Sequence, residues 1–300
     1  VRIQIKIFLF LFFVYSITFG VSNDENWPIL KGPYLGQNSP ARIAEIFGPG
    51  VISTQHREHG ITLNPQGDEI YFTRRISKEQ GNRIYYMRMD KGRWSNPVLA
   101  PFAKFCRESS PNFSPDGNRL FFNSRRPLPE NVESPHQMNV WLVKRKGAGW
   151  GESRMVGSPI MEFFPMFVTQ ANSGWIYFTG NVDRGIYRAL SKRDTFEGVQ
   201  RLPDVINSRH WAGHPFIDPQ ERFLIFDSNV DKKGTKNLYI SFRDRKGQWI
   251  ESINMNQKLQ LPEHAAIAHV SFDGRFLFFS SNGDIYWMDA RVIDDLKPKR

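Results

Sequence analysis

Cysteine is nearly absent: Cys106 is the single thiol in 300 residues. An internal disulfide is therefore excluded, and with it a cysteine-built zinc site. No cysteine follows the apolar segment near the start of the chain, so lipid attachment at a mature N-terminal cysteine is not expected. The Gly-x-Ser-x-Gly elbow, the Walker loop and the Rossmann glycine fingerprint are all missing, which sets aside the reaction classes they serve. Acidic side chains are in deficit, 30 against 40 Lys and Arg, giving a formal charge of +10. The basic residues are scattered over turns such as Asp231-Lys232-Lys233-Gly234 rather than gathered in one dense run, so nucleic acid is not the expected partner. Apolar and aromatic residues are plentiful, at 40% and 14%, enough to build a core and to exclude a disordered chain.

Arg2 and Lys6 precede the apolar run Ile7 to Val14, followed by Tyr15-Ser16, Thr18 and Gly20. This is the pattern of a secretory signal over residues 1–20, cut after Gly20 or Thr18. An uncleaved anchor reaching to Phe19 is the alternative reading of the same run. Either way the body is expected outside the cytoplasm, in the periplasm or beyond the cell. Loss of Arg2 and Lys6 leaves a charge of +8, suited to an anionic envelope polymer.

Five segments of one design recur: LNPQGDEIYF (63–72), FSPDGNRLFF (113–122), FVTQANSGWIYF (167–178), IDPQERFLIF (217–226) and VSFDGRFLFF (270–279). Their closing residues Phe72, Phe122, Phe178, Phe226 and Phe279 stand 50, 56, 48 and 53 residues apart. In each copy an extended segment meets a turn rich in Pro, Asp and Gly, which presets a tight hairpin. The strand after the turn is apolar without alternation, so both of its faces must be buried. A third strand follows, as in Asn139 to Val143, and then a fourth opened by Trp94, Trp150 or Trp249, with Phe196 in the third copy. Repeated four-stranded sheets buried on both faces predict an all-β fold, a β-propeller. The fifth copy lacks its fourth strand, and Ala41 to Phe47 is free to supply it. The expectation is five blades in one domain, residues 41–300, after an extension over 21–40.

FSPDGNRLFF and VSFDGRFLFF resemble the Pro-Asp-Gly repeats of TolB-like, WD-like propellers, and Gly283-Asp284-Ile285-Tyr286-Trp287 resembles the end of exported bacterial members. Copy one departs with Gln66 for Asp, and copy three lacks the Asp-Gly turn. The resemblance implies a ring-shaped interaction module, and TolB-like members with six blades supply the alternative count. The Ser-x-Asp-x-Gly box of sialidase propellers is not matched, because Asp116-Gly117 and Asp273-Gly274 are adjacent.

In such a ring the loops entering each innermost strand and those joining strands two and three converge on one rim of the channel. The alignment brings Glu58, His59, Glu108, Glu162, His210, Trp211, His214 and His264 there, with Arg125 from a second loop. Glu58, Glu108 and Glu162 each fall five residues before Leu63, Phe113 and Phe167, which makes them equivalent. They either face the pore, as cation ligands or an acid/base pair, or accept hydrogen bonds within the repeat frame. No histidine pair forms the His-Glu-x-x-His signature, and no cofactor or resident metal is expected. The expected function is that of a monomeric exported module whose rim binds a protein or an anionic envelope or extracellular glycan. A carbohydrate-active hydrolase or lyase using rim carboxylates or histidines, possible with a divalent metal, is the alternative.

Overall fold

The computed structural model describes residues 28–105, 107–130, 137–192, 195–208, 211–229 and 235–298. Residues 1–20, where a signal is expected, Cys106 and His210 lie outside the described residues. Five antiparallel sheets follow one another along the chain. Their innermost strands are Arg57–Leu63, Glu108–Phe113, Pro165–Gln170, Ala212–Ile217 and Ala266–Val270. The second strands, Glu69–Arg75, Arg119–Ser124, Trp175–Gly180, Phe223–Asn229 and Phe276–Ser281, are buried almost throughout, as their unbroken apolar runs require. The third strands are Asn82–Asp90, Asn139–Lys146, Gly185–Lys192, Lys236–Phe242 and Asp284–Asp289. In the first blade the outer strand is broken into Arg93–Trp94 and Val98–Leu99, flanking Pro97, which has no N–H to give a ladder.

The fifth blade is completed from the other end of the chain. Glu45–Ile46 pairs antiparallel with Asp284–Asp289, Glu45 opposite Trp287 and Ile46 opposite Tyr286. Phe47 N–H extends the ladder to Ile285 O at 2.8 Å, and the Phe47 ring is fully buried against Phe278 and Trp287. Packing starts ahead of residue 41. Tyr34 and Leu35 sit in the seam between the first and fifth blades, and the Tyr34 hydroxyl donates to Asp273 at 2.7 Å. Gly36 allows this approach: a Cβ there would lie 2.2 Å from Lys31 O, at φ +72.

One hydrogen bond, repeated five times, joins the blades into a closed ring. Each innermost strand carries a bulge whose residue is left-handed: Gly60, Ser110, Phe167, His214 and Ile267, at φ +48 to +59. The bulge turns that residue's N–H out of its own ladder and toward the preceding blade. There it meets the side chain directly after the closing phenylalanine. Gly60 donates to Ser280, Ser110 to Thr73, Phe167 to Asn123, His214 to Thr179 and Ile267 to Asp227, at 2.8 to 3.4 Å. Because Gly60 belongs to the first blade and Ser280 to the fifth, the circle is complete. The chain is a five-bladed β-propeller, and the six-bladed alternative does not apply.

Candidate functional site

Strand register fixes which residues are equivalent at the rim. Leu63, Phe113, Gln170, Ile217 and Val270 pair with Ile70, Leu120, Ile176, Leu224 and Leu277. Counting back five residues gives Glu58, Glu108, Pro165, Ala212 and Ala265. Pro165, not Glu162, is thus the third member. Glu162 lies three residues earlier, exposed on the 3-10 turn Ile160–Phe163. The third copy ends its inner strand on polar Gln170 and has a turn one residue shorter, so matching copies on their aromatics shifts it.

Glu58 and Glu108 are buried in ion pairs, Glu58 at the wall of the channel-mouth cavity. Glu58 accepts from Arg74 Nε at 2.7 Å and from Thr54 Oγ1 at 2.7 Å, while Arg74 Nη2 also donates to Val51 O. Glu108 accepts from Ser124 Oγ at 2.8 Å and from Arg126, whose Nη2 also reaches Phe102 O. Arg126 stacks on Phe122 and Trp141 at 4.8 and 4.9 Å. In the first two blades the same clasp thus ties the entering loop to the end of the second strand. A buried pair of this kind fixes geometry, and removing one partner leaves an uncompensated charge.

One residue earlier in the register stand Arg57, Arg107, Phe164, Trp211 and His264. Of these, Arg57 and His264 line the channel-mouth cavity, while the Arg107 side chain packs against Gly81. Arg107, Phe164 and His264 share a left-handed backbone, φ +51 to +62. Beneath His264 and Arg57 opens a cavity of about 500 Å³, lined also by His59, Lys236, Ser280 and Asn282. Trp211 lies across Gly213; a Cβ there would come within 2.5 Å of the indole, so glycine is required. Lys236 Nζ sits 4.4 Å from the Trp211 ring centre, and His214 meets that ring edge-on at 5.0 Å.

Asp227 organises this wall. It is fully buried, accepts the ring-closing bond from Ile267 N–H, and holds His214 Nδ1 at 2.8 and 3.0 Å and Lys236 Nζ at 3.3 Å. Burial pushes the His214 imidazole below its ordinary value, and Asp227 only partly offsets this. His59 is pushed down to about 4, first by burial and then by the surrounding charges of His214, Arg57, Arg75 and Lys236. Both rings are therefore neutral near pH 7, in a mouth whose exposed charges are cationic.

No protein-family model matches the chain, and no curated protein matches it. Among solved structures it is similar to a TolB-like protein from Agrobacterium tumefaciens, at 16% identity over 67% of each chain, TM-score 0.46. It is also similar to an endo-arabinase from Bacteroides thetaiotaomicron, at 13% identity over 84% of this chain and 97% of the other, TM-score 0.49. A gluconolactonase from Xanthomonas campestris aligns at 12% identity over 88% and 97%, TM-score 0.47. Each likeness is one of fold.

The structure brings His59, Trp211, His214 and His264 to one rim. Arg125 is exposed beside it, donating to Gln137 Oε1 at 2.9 Å. Among the described residues, which do not include His210, no three His, Cys, Asp or Glu side chains gather closely enough to hold a metal ion. Sequence reasoning passed over Arg57, Lys236 and Asp227. Asp227 carried a usable signal: it follows Phe226 at the position where the other copies have Thr73, Asn123, Thr179 and Ser280.

Proposed function

We propose that this chain is an exported member of the TolB-like Pro-Asp-Gly propellers and a non-catalytic module that binds an anionic glycan of the cell envelope or the extracellular space. The observation that carries the reading is the composition of the rim. Arg57 and Lys236 line the channel-mouth cavity, Lys236 Nζ lies 4.4 Å from the Trp211 ring, and Arg107 holds the register position of Arg57 in the second blade. Guanidinium groups pair with a sugar carboxylate through two parallel hydrogen bonds, and an indole offers its face to the pyranose ring. Neutral His59 at the cavity wall supplies a further polar contact without a second full charge to desolvate.

Titration calorimetry with glucuronate and with glucose tests this. Glucuronate should bind and glucose should not. The Arg57→Ala/Arg107→Ala double variant should lose about tenfold or more in affinity, since each charge-assisted hydrogen bond contributes about 1.5–3 kcal/mol. Equal binding of both sugars, or an unaffected double variant, would remove the basis of the reading.

The His214–Asp227 pair favours one second reading, a hydrolase or lyase acting on such a glycan. A neutral imidazole held at Nδ1 by a carboxylate has Nε2 left to act as a general base. Its ring is, however, packed 3.7 Å from Phe167, centre to centre, and its side chain is only 9% exposed, which suits a supporting role better. Release of reducing ends or unsaturated product from acidic oligosaccharides, abolished in His214→Gln, would favour the enzyme.

A further inference from the structure

A second cavity, of about 400 Å³, adjoins the channel mouth and shares His264 with it. Its walls are Asn237 at the start of the fourth blade's third strand, Asn256 and Gln257 on the short helix Met255–Leu259, Leu261 and Glu263. His264, exposed and at φ +58, stands on the divide between the two spaces.

The two cavities differ in chemistry. The mouth presents Arg57 and Lys236, its carboxylate Glu58 being paired with Arg74, whereas the groove presents carboxamides over a leucine, with Glu263 as its carboxylate. Asn256 belongs to the frame, accepting from Leu238 N–H at 2.8 Å and donating to Pro262 O at 3.0 Å. Asn237 donates to Asn254 at 3.3 Å, which leaves its carbonyl oxygen for a ligand, and Gln257 is exposed. A carboxamide offers a donor and an acceptor side by side, matching sugar hydroxyls, which are both at once. A peptide would call for a strand edge or for apolar anchors, and this groove offers a single leucine. Glu263 would repel a second acidic unit, so the unit lying there is uncharged.

We infer that the ligand is a linear oligosaccharide in which an acidic sugar is followed by a neutral one: the acidic unit fills the channel mouth, and its neighbour passes His264 into the groove between the fourth and fifth blades. This rests on the channel-mouth reading and extends it to the ligand's length and charge pattern.

Calorimetry on the purified protein tests it with three probes: glucuronate, a glucuronate–N-acetylglucosamine disaccharide, and a dimer of hexuronic acid. The mixed disaccharide should bind about tenfold more tightly than glucuronate, the gain of two neutral hydrogen bonds, while the acidic dimer should show no gain. Gln257→Ala and Asn237→Ala, which remove the free carboxamide and the free carbonyl oxygen, should each erase most of that gain and leave glucuronate affinity unchanged. Equal affinity for glucuronate and the mixed disaccharide, or variants that weaken both alike, overturns the inference while the channel-mouth reading stands. Absence of binding by all three probes overturns both.

Discussion

Replacing Asp227 by threonine separates the architectural role of this position from its role at the site. Threonine already fills it in the first and third blades, where Thr73 and Thr179 accept the ring-closing bond at 2.9 and 2.8 Å. Asp227→Thr therefore keeps an acceptor for Ile267 N–H. What it removes is the buried carboxylate that holds His214 and Lys236. The His214 N–H, nearly buried, loses its acceptor at a cost of about 1–3 kcal/mol. Relief from burying a carboxylate is worth several kcal/mol in the other direction, and Lys236, one-third exposed, can turn to water. These contributions oppose one another, so urea unfolding should place the variant within about 2 kcal/mol of the parent. Glucuronate affinity should fall roughly 10- to 100-fold, the loss of one positioned charge-assisted contact. Asp227→Ala, which forfeits the ring bond as well, should be the less stable of the two. Parental affinity in Asp227→Thr, or a stability loss beyond about 4 kcal/mol, would refute the division of labour.

Acid should weaken the fold through its buried histidines. Burial holds His59 down to about 4 and His269 to about 3, against about 6.5 in the unfolded chain. Their contribution is therefore complete above about pH 6.5 and is lost as the pH falls through 4 toward 3, so the urea midpoint should drop between pH 7 and pH 5. Neither ring nitrogen of His269 has a hydrogen-bond partner, and its ring lies between Phe216 and Phe272. His269→Phe should raise the midpoint at pH 7 and shrink its fall at pH 5; a destabilised variant would show that the imidazole is needed. Glu108→Gln should cost about 3 kcal/mol by leaving Arg126 buried without its counter-ion, yet leave glucuronate affinity intact. A lowered affinity in a folded Glu108→Gln protein would return that carboxylate to the rim.

The architecture was legible because its determinants are local and repeated. A short apolar run without alternation, entered from a Pro/Asp/Gly turn, reads as a strand covered on both faces, and five such runs at near-regular spacing leave few closed arrangements. Closure by Ala41 to Phe47 was legible for the same reason: a fifth unit short of a strand needs one, and Phe47 needs somewhere to be buried. The site was legible only in outline. Glu58-His59 and Arg107-Glu108 were placed at the rim, but in each pair a strand's alternation sends one side chain inward and its neighbour outward. The hydrogen-bond register decides which, and in the third copy it also moved Glu162 out of line. Lys236 lies at the start of a third strand and reaches the mouth only because the ring brings the fourth blade next to the fifth.

A repeat protein provides its own controls, and they sort these charges. Glu58 and Glu108 occur with an arginine each, Arg74 and Arg126, that also binds a carbonyl of the entering loop. Charge and partner come together, and the blades without the glutamate have Pro165, Ala212 or Ala265 instead, so the pair is one way of securing a loop. Asp227 behaves otherwise. Its four counterparts make the same backbone bond with neutral oxygens, so the bond does not require the charge, and a carboxylate with no exposure is the most expensive way to make it. The excess cost is offset by His214 and Lys236, neither of which the frame needs at that place. A departure from the repeat that costs stability and is balanced only by side chains at the channel mouth is what the proposed binding role of that mouth requires and what the ring alone does not.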